Sequence, residues 1–207
     1  MIYPNFNEEK KLWRQGYEFV VGLDEAGRGP LAGPVVAGAV IMRHHTDAHF
    51  KNIKVNDSKK LSARQREYFY DVLTRHKNIS WGVGVVSEKV IDKINILEAT
   101  KLAMQKAIDD LNVRADFLLL DGNFKIGSEV LQKSIIKGDQ KVFSISMASI
   151  IAKVTRDAIM EKMHKKYPQY GFDAHKGYGT ALHIKNLKNF GPCKIHRKSF
   201  YPVSNFL

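Results

Sequence analysis

Four carboxylates carry the first chemical signal in this sequence. Asp24 and Glu25 stand side by side at the end of an apolar run in FVVGLDEAGRGPLAGP (residues 19–34), Asp121 ends another in DFLLLD (116–121), and Asp139 lies in KGDQK (137–141). Short apolar runs that finish on an acid place carboxylates at the carboxyl ends of strands, where open α/β sheets bind their ligands. Acids gathered there repel one another and stay ionised only beside positive charge. Hard divalent cations supply it, Mg²⁺ typically through a few carboxylates together with water and substrate phosphate. Each acid taken alone is an ordinary turn or capping residue. Their recurrence in three segments favours a metal site.

The charge balance names the substrate class. The chain has 207 residues, with 33 Lys and Arg against 21 Asp and Glu, a formal charge of +12. Residues 1–121 hold 18 basic and 16 acidic residues, whereas residues 122–207 hold 15 and 5. Aromatic residues interleave with the basic ones in HKGYG (175–179) and HRKSFYP (196–202), the pattern of a surface for nucleic acid. Carboxylate-held metal in a basic protein predicts phosphodiester hydrolysis, one ion activating water and a second stabilising the departing oxygen.

Other chemistries lack their signatures. The sequence has no GxxxxGK[ST] loop, GxSxG elbow, HExxH helix or paired CxxC. No apolar run is long enough to cross a bilayer, and the first residues have no secretory core, so a cytoplasmic protein without a membrane partner is expected. The single cysteine, Cys193, fits a reducing compartment and reads as incidental. His44 and His45 fall in a polar loop, and His164 reads as surface or core filler. His175, His183 and His196 lie in the basic tail, where they touch substrate or pack.

The elements that must position these groups follow from periodicity. Strands are expected over 18–24, 34–42, 80–87, 116–121 and 133–137, the first two antiparallel. Helices are expected over 62–75, opened by a Ser62/Gln65 capping box, and over 88–111, 145–166 and 180–190. This order predicts an α/β domain with a mixed sheet over residues 1–166 and a basic extension over 167–207 packed on it. Asp157 falls on the stripe of Ile150, seven residues earlier, and has Lys153 one turn back. A structural ion pair is its first reading and a metal ligand its rival.

Taken together, the blocks GLDEAGRGPLAGPVVAGAVI, NDSKKLS, IDKINILEAT, LLLDGN, KGDQKVFSISMASIIAKVTRD, YGFDAHKGYGT and GPCKIHRKSF, in order over residues 22–200, resemble the bacterial ribonuclease HII (type 2 ribonuclease H) family. One departure is Met147, where the family more often has alanine, a change of packing rather than chemistry. The resemblance implies a ribonuclease H-like fold, a central mixed sheet flanked by helices with a helical C-terminal extension. It implies a monomeric endonuclease using Mg²⁺ or Mn²⁺, acting on RNA–DNA hybrids and on DNA containing ribonucleotides, and leaving 5′-phosphate and 3′-hydroxyl ends. The family's four metal acids fall on Asp24, Glu25, Asp121 and Asp139, with Asp157 the alternative for the fourth. Its substrate reader falls on Gly27, Arg28 and Gly29, whose backbone reads the 2′-hydroxyl, and its sugar-stacking tyrosine on Tyr178. Lys59, Lys176 and Arg197 are candidate phosphate contacts. The related type 3 family has lysine at the position of Arg28 and an added N-terminal domain, for which the 23 residues before Asp24 leave no room. A non-catalytic nucleic-acid module would have no use for acids at several strand ends.

Overall fold

The computed structural model describes residues 3–44 and 61–207. Five strands form one sheet: β1 (Val20–Ala26), β2 (Val35–Met42), β3 (Ile79–Val86), β4 (Phe117–Asp121) and β5 (Leu131–Ile135), in the order β3-β2-β1-β4-β5. The first three strands form an antiparallel meander, and β4 and β5 run parallel to β1. The sheet is therefore mixed, as expected. The predicted antiparallel pairing of the first two strands also holds.

Helices cover both faces, which is why β2 is buried along its whole length and β4 reads as an unbroken apolar run. On one face Val20, Val40 and Leu119 cluster with Leu12 and Trp13 of α1 (Asn7–Arg14), Leu73 of α2 (Ala63–Arg75) and Ile145, Ala148 and Ile151 of α4 (Phe143–Lys166). On the other, Val21, Leu23, Ala39, Leu118 and Leu120 cluster with Ala99, Ala103, Met104 and Ala107 of α3 (Glu88–Asp109). Alternate residues thus face alternate layers. The long helix α4 lies unusually close to the sheet, because a Cβ on Gly22 or Gly38 would collide with its backbone at Ser144 or Ala148. Residues 143–152 of α4 are accordingly buried on every side.

Local signals explain most of these elements. Ser62 and Gln65 form the expected reciprocal capping box of α2, at 3.3 and 2.9 Å. Helix α1, not foreseen in the sequence, caps another element. Glu9 is buried and accepts the Ser144 N–H at 2.8 Å, satisfying a free donor in the first turn of α4. Helix α3 is interrupted where one continuous helix was expected. Asn95 has φ +67°, and its Oδ1 accepts the N–H groups of Leu97 and Glu98, so a new helical segment starts there.

The basic C-terminal segment contributes two further helices, α5 (Phe172–His175) and α6 (Ala181–Phe190). It is stitched to the loop that follows β1. Leu31 N donates to Gly177 O, Gly33 N to Ile195 O and Arg197 N to Leu31 O, each at 2.8 Å. No helix among the described residues is long and apolar enough to cross a membrane.

Candidate active site

Strand β1 runs two residues further than expected, so Asp24 and Glu25 lie within the ladder, opposite Gly38 and Ala37 of β2. Asp24 is only 4% exposed and accepts the Glu25 N–H at 2.7 Å. Asp121 ends the adjacent parallel strand β4, and its Oδ1 accepts the Gly138 N–H at 2.7 Å. That bond fixes the 3₁₀ turn Gly138–Gln140, which carries Asp139, 2% exposed, into the start of α4. Two neighbouring strand ends and one turn therefore deliver the four acids.

Electrostatics binds them into one site. The carboxyl of Asp24 is held well above the usual carboxylate range, first by burial and then by the negative charges of Glu25, Asp121 and Asp139. Asp157 is not among these neighbours. Its carboxylate instead pairs with Lys153 at 2.8 Å, the structural ion pair read from the sequence. Among the described residues no three carboxylate, imidazole or thiol groups are preassembled as a closed metal cage. The acids act on one another through space. Four hard oxygen donors with a surplus of negative charge, Asp24 and Asp139 among them buried, suit a hard divalent cation that keeps part of its water shell.

The turn after β1 flanks this cluster. Gly27 has φ +98°, and a Cβ there would strike the buried side chain of Arg156, so glycine is required on both counts. Arg28 is half-exposed, with Nη1 3.3 Å from Glu25 Oε1 and its guanidinium 5.9 Å from the Phe124 ring centre. Gly27, Arg28 and Gly29 line a cleft with Glu25, Ser149, Lys153 and Tyr178. Tyr178 is 45% exposed, and its ring would sit 3.8 Å from a Cβ on Gly29. The fold thus assembles Asp24, Glu25, Asp121, Asp139, Gly27, Arg28, Gly29 and Tyr178 in one region.

With that geometry in place, comparison with known proteins is decisive. A family model for Ribonuclease HII matches residues 21–203. The chain belongs to the ribonuclease HII family. Curated relatives with that name include those of Chlamydia muridarum, 54% identical over 94% of this chain and 88% of that protein, and Syntrophus aciditrophicus, 53% identical over 93% and 88%. The crystal structure of ribonuclease H2 from Pyrococcus horikoshii OT3 superimposes with a TM-score of 0.76 at 28% identity, covering 91% of this chain and 96% of that one. The fold is therefore ribonuclease H-like. The enzyme is a divalent-metal-dependent endonuclease of the ribonuclease HII kind, a family that acts on RNA–DNA hybrids.

The expected phosphate contacts fare less well. Arg197 is 0% exposed and cannot meet a phosphate; its guanidinium is turned onto main-chain carbonyls of the β1–β2 loop. This corrects the reading of Arg197 as a phosphate contact. Lys176 lies outside the cleft, with its ammonium 2.9 Å from Glu161. Lys59 falls outside the described residues, as does His45.

Several supporting residues were not read from the sequence at all. Arg156 follows Ala148 and Ala152 and precedes Met160 at intervals of four, so an arginine inside a buried stripe was its only signal. The tail histidines also pack instead of facing substrate. His183 Nδ1 bonds to the carbonyl of Tyr178 at 2.9 Å, so it must be the protonated nitrogen and Nε2 the acceptor. His196 Nδ1 accepts the Cys193 N–H at 2.9 Å, which leaves its Nε2–H to donate to His183 Nε2 at 3.0 Å. Both rings are neutral in this relay, and burial pushes each pKa down to about 4.

A pH dependence follows from that shift. Between pH 6.5 and about 4 the unfolded chain binds more protons than the folded one, so stability is full above 6.5 and falls as the pH drops through that window. At about 1.4 kcal/mol per unit, the two coupled rings put the loss at a few kcal/mol. Glu9, raised to about 6 by burial, acts in the opposite sense over a smaller range. Urea unfolding of the parent and of His183→Asn at pH 7.5, 5.5 and 4.5 separates the relay from Glu9 and the acids, and the same pH dependence in both would refute the neutral relay.

Proposed function

We propose that the enzyme incises duplex DNA on the 5′ side of an embedded ribonucleotide, besides hydrolysing the RNA strand of hybrids, and that it uses Mg²⁺ or Mn²⁺ in a two-metal hydrolysis. The observation that carries this reading is the juxtaposition of the four-acid cluster with a glycine-flanked turn that abuts Tyr178. Asp24, Glu25, Asp121 and Asp139 would hold the ions. When bound, such ions activate water and stabilise the departing oxygen of the phosphodiester. The bond from phosphorus to the upstream 3′-oxygen breaks, the water oxygen joins phosphorus, and a proton passes to the leaving oxygen. The products carry 5′-phosphate and 3′-hydroxyl ends.

Chain residues supply the selectivity. The 2′-hydroxyl is the group that distinguishes one ribose in a DNA duplex. Main chain bearing no side chain at Gly27 and Gly29 admits it closely, and the exposed face of Tyr178 suits the neighbouring deoxyribose. Arg28, poised between Glu25 and Phe124, is placed to reach the phosphate backbone. Residues 167–207 act as an extension of the catalytic domain, since they hold its β1–β2 loop. A cytoplasmic monomer completes the proposal.

A second basic surface supports a duplex substrate. Val35 opens β2 opposite Val86, which ends β3, so the start of α3 lies two strands from β1 at the edge where the acids gather. There Lys89, Lys93, Lys194 and Lys198, all exposed, line a cleft with Glu88, Asp92 and His196. Changing the four lysines to glutamine should weaken duplex binding and flatten its salt dependence by about one unit of slope per lost phosphate contact. An unchanged slope would remove this surface from the substrate path. The function itself is tested with a DNA duplex carrying one ribonucleotide, with Mg²⁺ or Mn²⁺, against an all-DNA control. Equal incision of both, or none of either, defeats the proposal.

A further inference from the structure

The carbonyls of Gly27, Arg28, Ala32, Gly33 and Pro34, in and after the substrate-reading turn, point inward onto two buried arginines. Arg197 donates Nε–H to Gly33 O at 3.0 Å, Nη1–H to Arg28 O at 2.9 Å, and Nη2–H to Gly27 O and to Pro34 O, the latter at 3.2 Å. Arg156, 1% exposed, donates Nε–H to Pro34 O at 3.0 Å, Nη1–H to Lys176 O at 3.0 Å and Nη2–H to Ala32 O at 3.1 Å. The two guanidinium groups meet on the Pro34 carbonyl. Burying two like charges this close is costly, and burial followed by Arg156 lowers the Arg197 pKa to about 9. A fold that wanted only packing at these positions would use apolar side chains.

What the arrangement achieves follows from peptide geometry. In a trans peptide the N–H points away from the C=O. Anchoring the carbonyls of Gly27 and Arg28 on Arg197 therefore turns the N–H groups of Arg28 and Gly29 the other way, toward the cleft beside Tyr178. Among the described residues neither N–H has an internal acceptor. Two amide donors stand preorganised side by side, with no side chain on Gly29 to shield them.

We propose that Arg197, seconded by Arg156, is a specificity-positioning residue that aims the Arg28 and Gly29 amides at a ribose oxygen without touching substrate itself. This rests on the reading of the turn as the ribose reader. Guanidinium suits the task because its planar fork reaches four carbonyls at once, whereas an ammonium is a point donor. Lysine at this position keeps the charge and loses the geometry.

The test measures binding in the Asp121→Asn background, where duplexes are not consumed, using an all-DNA duplex and the same duplex with one ribonucleotide. Asp121→Asn alone should favour the ribonucleotide duplex. Adding Arg197→Lys should reduce that preference by roughly tenfold, the worth of one or two hydrogen bonds, and leave all-DNA affinity unchanged. A retained preference in the folded double variant overturns the proposal. If Asp121→Asn itself shows no preference, the reading of the turn fails instead. Should Arg197→Lys not fold, amide resonances of Arg28 and Gly29 in Asp121→Asn decide the matter. They should shift with the ribonucleotide duplex more than with all-DNA, and equal shifts would refute the aimed amides.

Discussion

Asparagine in place of Asp121 should stop hydrolysis while leaving the protein folded and its duplex affinity within a few-fold of the parent. The carboxylate has two jobs that this substitution separates. As a hydrogen-bond acceptor, Oδ1 holds the Gly138 N–H at 2.7 Å and so fixes the turn bearing Asp139. The amide oxygen of asparagine performs that job unchanged. As a negative charge it acts on Asp24 and, on the proposed reading, would help hold a cation there, a job asparagine cannot do. Losing a metal carboxylate removes several kcal/mol of transition-state stabilisation, about a thousandfold or more in turnover. Asp121→Ala loses both jobs and should also melt earlier. Single-turnover cleavage and thermal unfolding separate the two variants, and turnover within tenfold of the parent for Asp121→Asn would take Asp121 out of the site.

Substituting Asp24 should have the opposite signs for stability and activity. Its charge is buried among three others and its carboxyl is held well above the ordinary range, so in metal-free buffer at neutral pH it works against folding. Asp24→Asn removes that repulsion, and its Oδ1 still accepts the Glu25 N–H. The variant should melt a few degrees higher than the parent without divalent ions, at about 2–4 °C per kcal/mol for a chain of this size. Adding Mg²⁺ or Mn²⁺ should raise the melting temperature of the parent by linkage and that of the variant much less. Activity should fall as far as for Asp121→Asn. A variant that melts lower than the metal-free parent would show that the four acids are not in mutual strain.

The acids were legible because strand ends advertise themselves. DFLLLD announces a strand buried on both faces, and the acid that ends it must sit at the sheet edge. The extent of β1 was misread by two residues, since nothing local says that Glu25 and Ala26 still pair with Ala37 and Val36. Asn95 was missed because the apolar period continues across it, and its positive φ is fixed by the bonds its own side chain makes. Arg197 was misread for a deeper reason. Charge in a sequence predicts exposure, and the carbonyls that justify burying this one come from residues 27–34, far away along the chain. Helix α1 was passed over because its purpose, offering Glu9 to α4, exists only in the folded protein.

The path of the chain through the loop clamp sets an order of assembly. All four acids have been made once residue 139 is in place, but the carbonyl anchor of the Gly27–Arg28–Gly29 turn arrives only when Arg197 has been added. On the proposed reading, a nascent chain that stops between those two points would hold the cutting groups without the part that chooses where to cut. On that reading discrimination follows the acids, and a ribose is told from its neighbours only once Arg197 is in place.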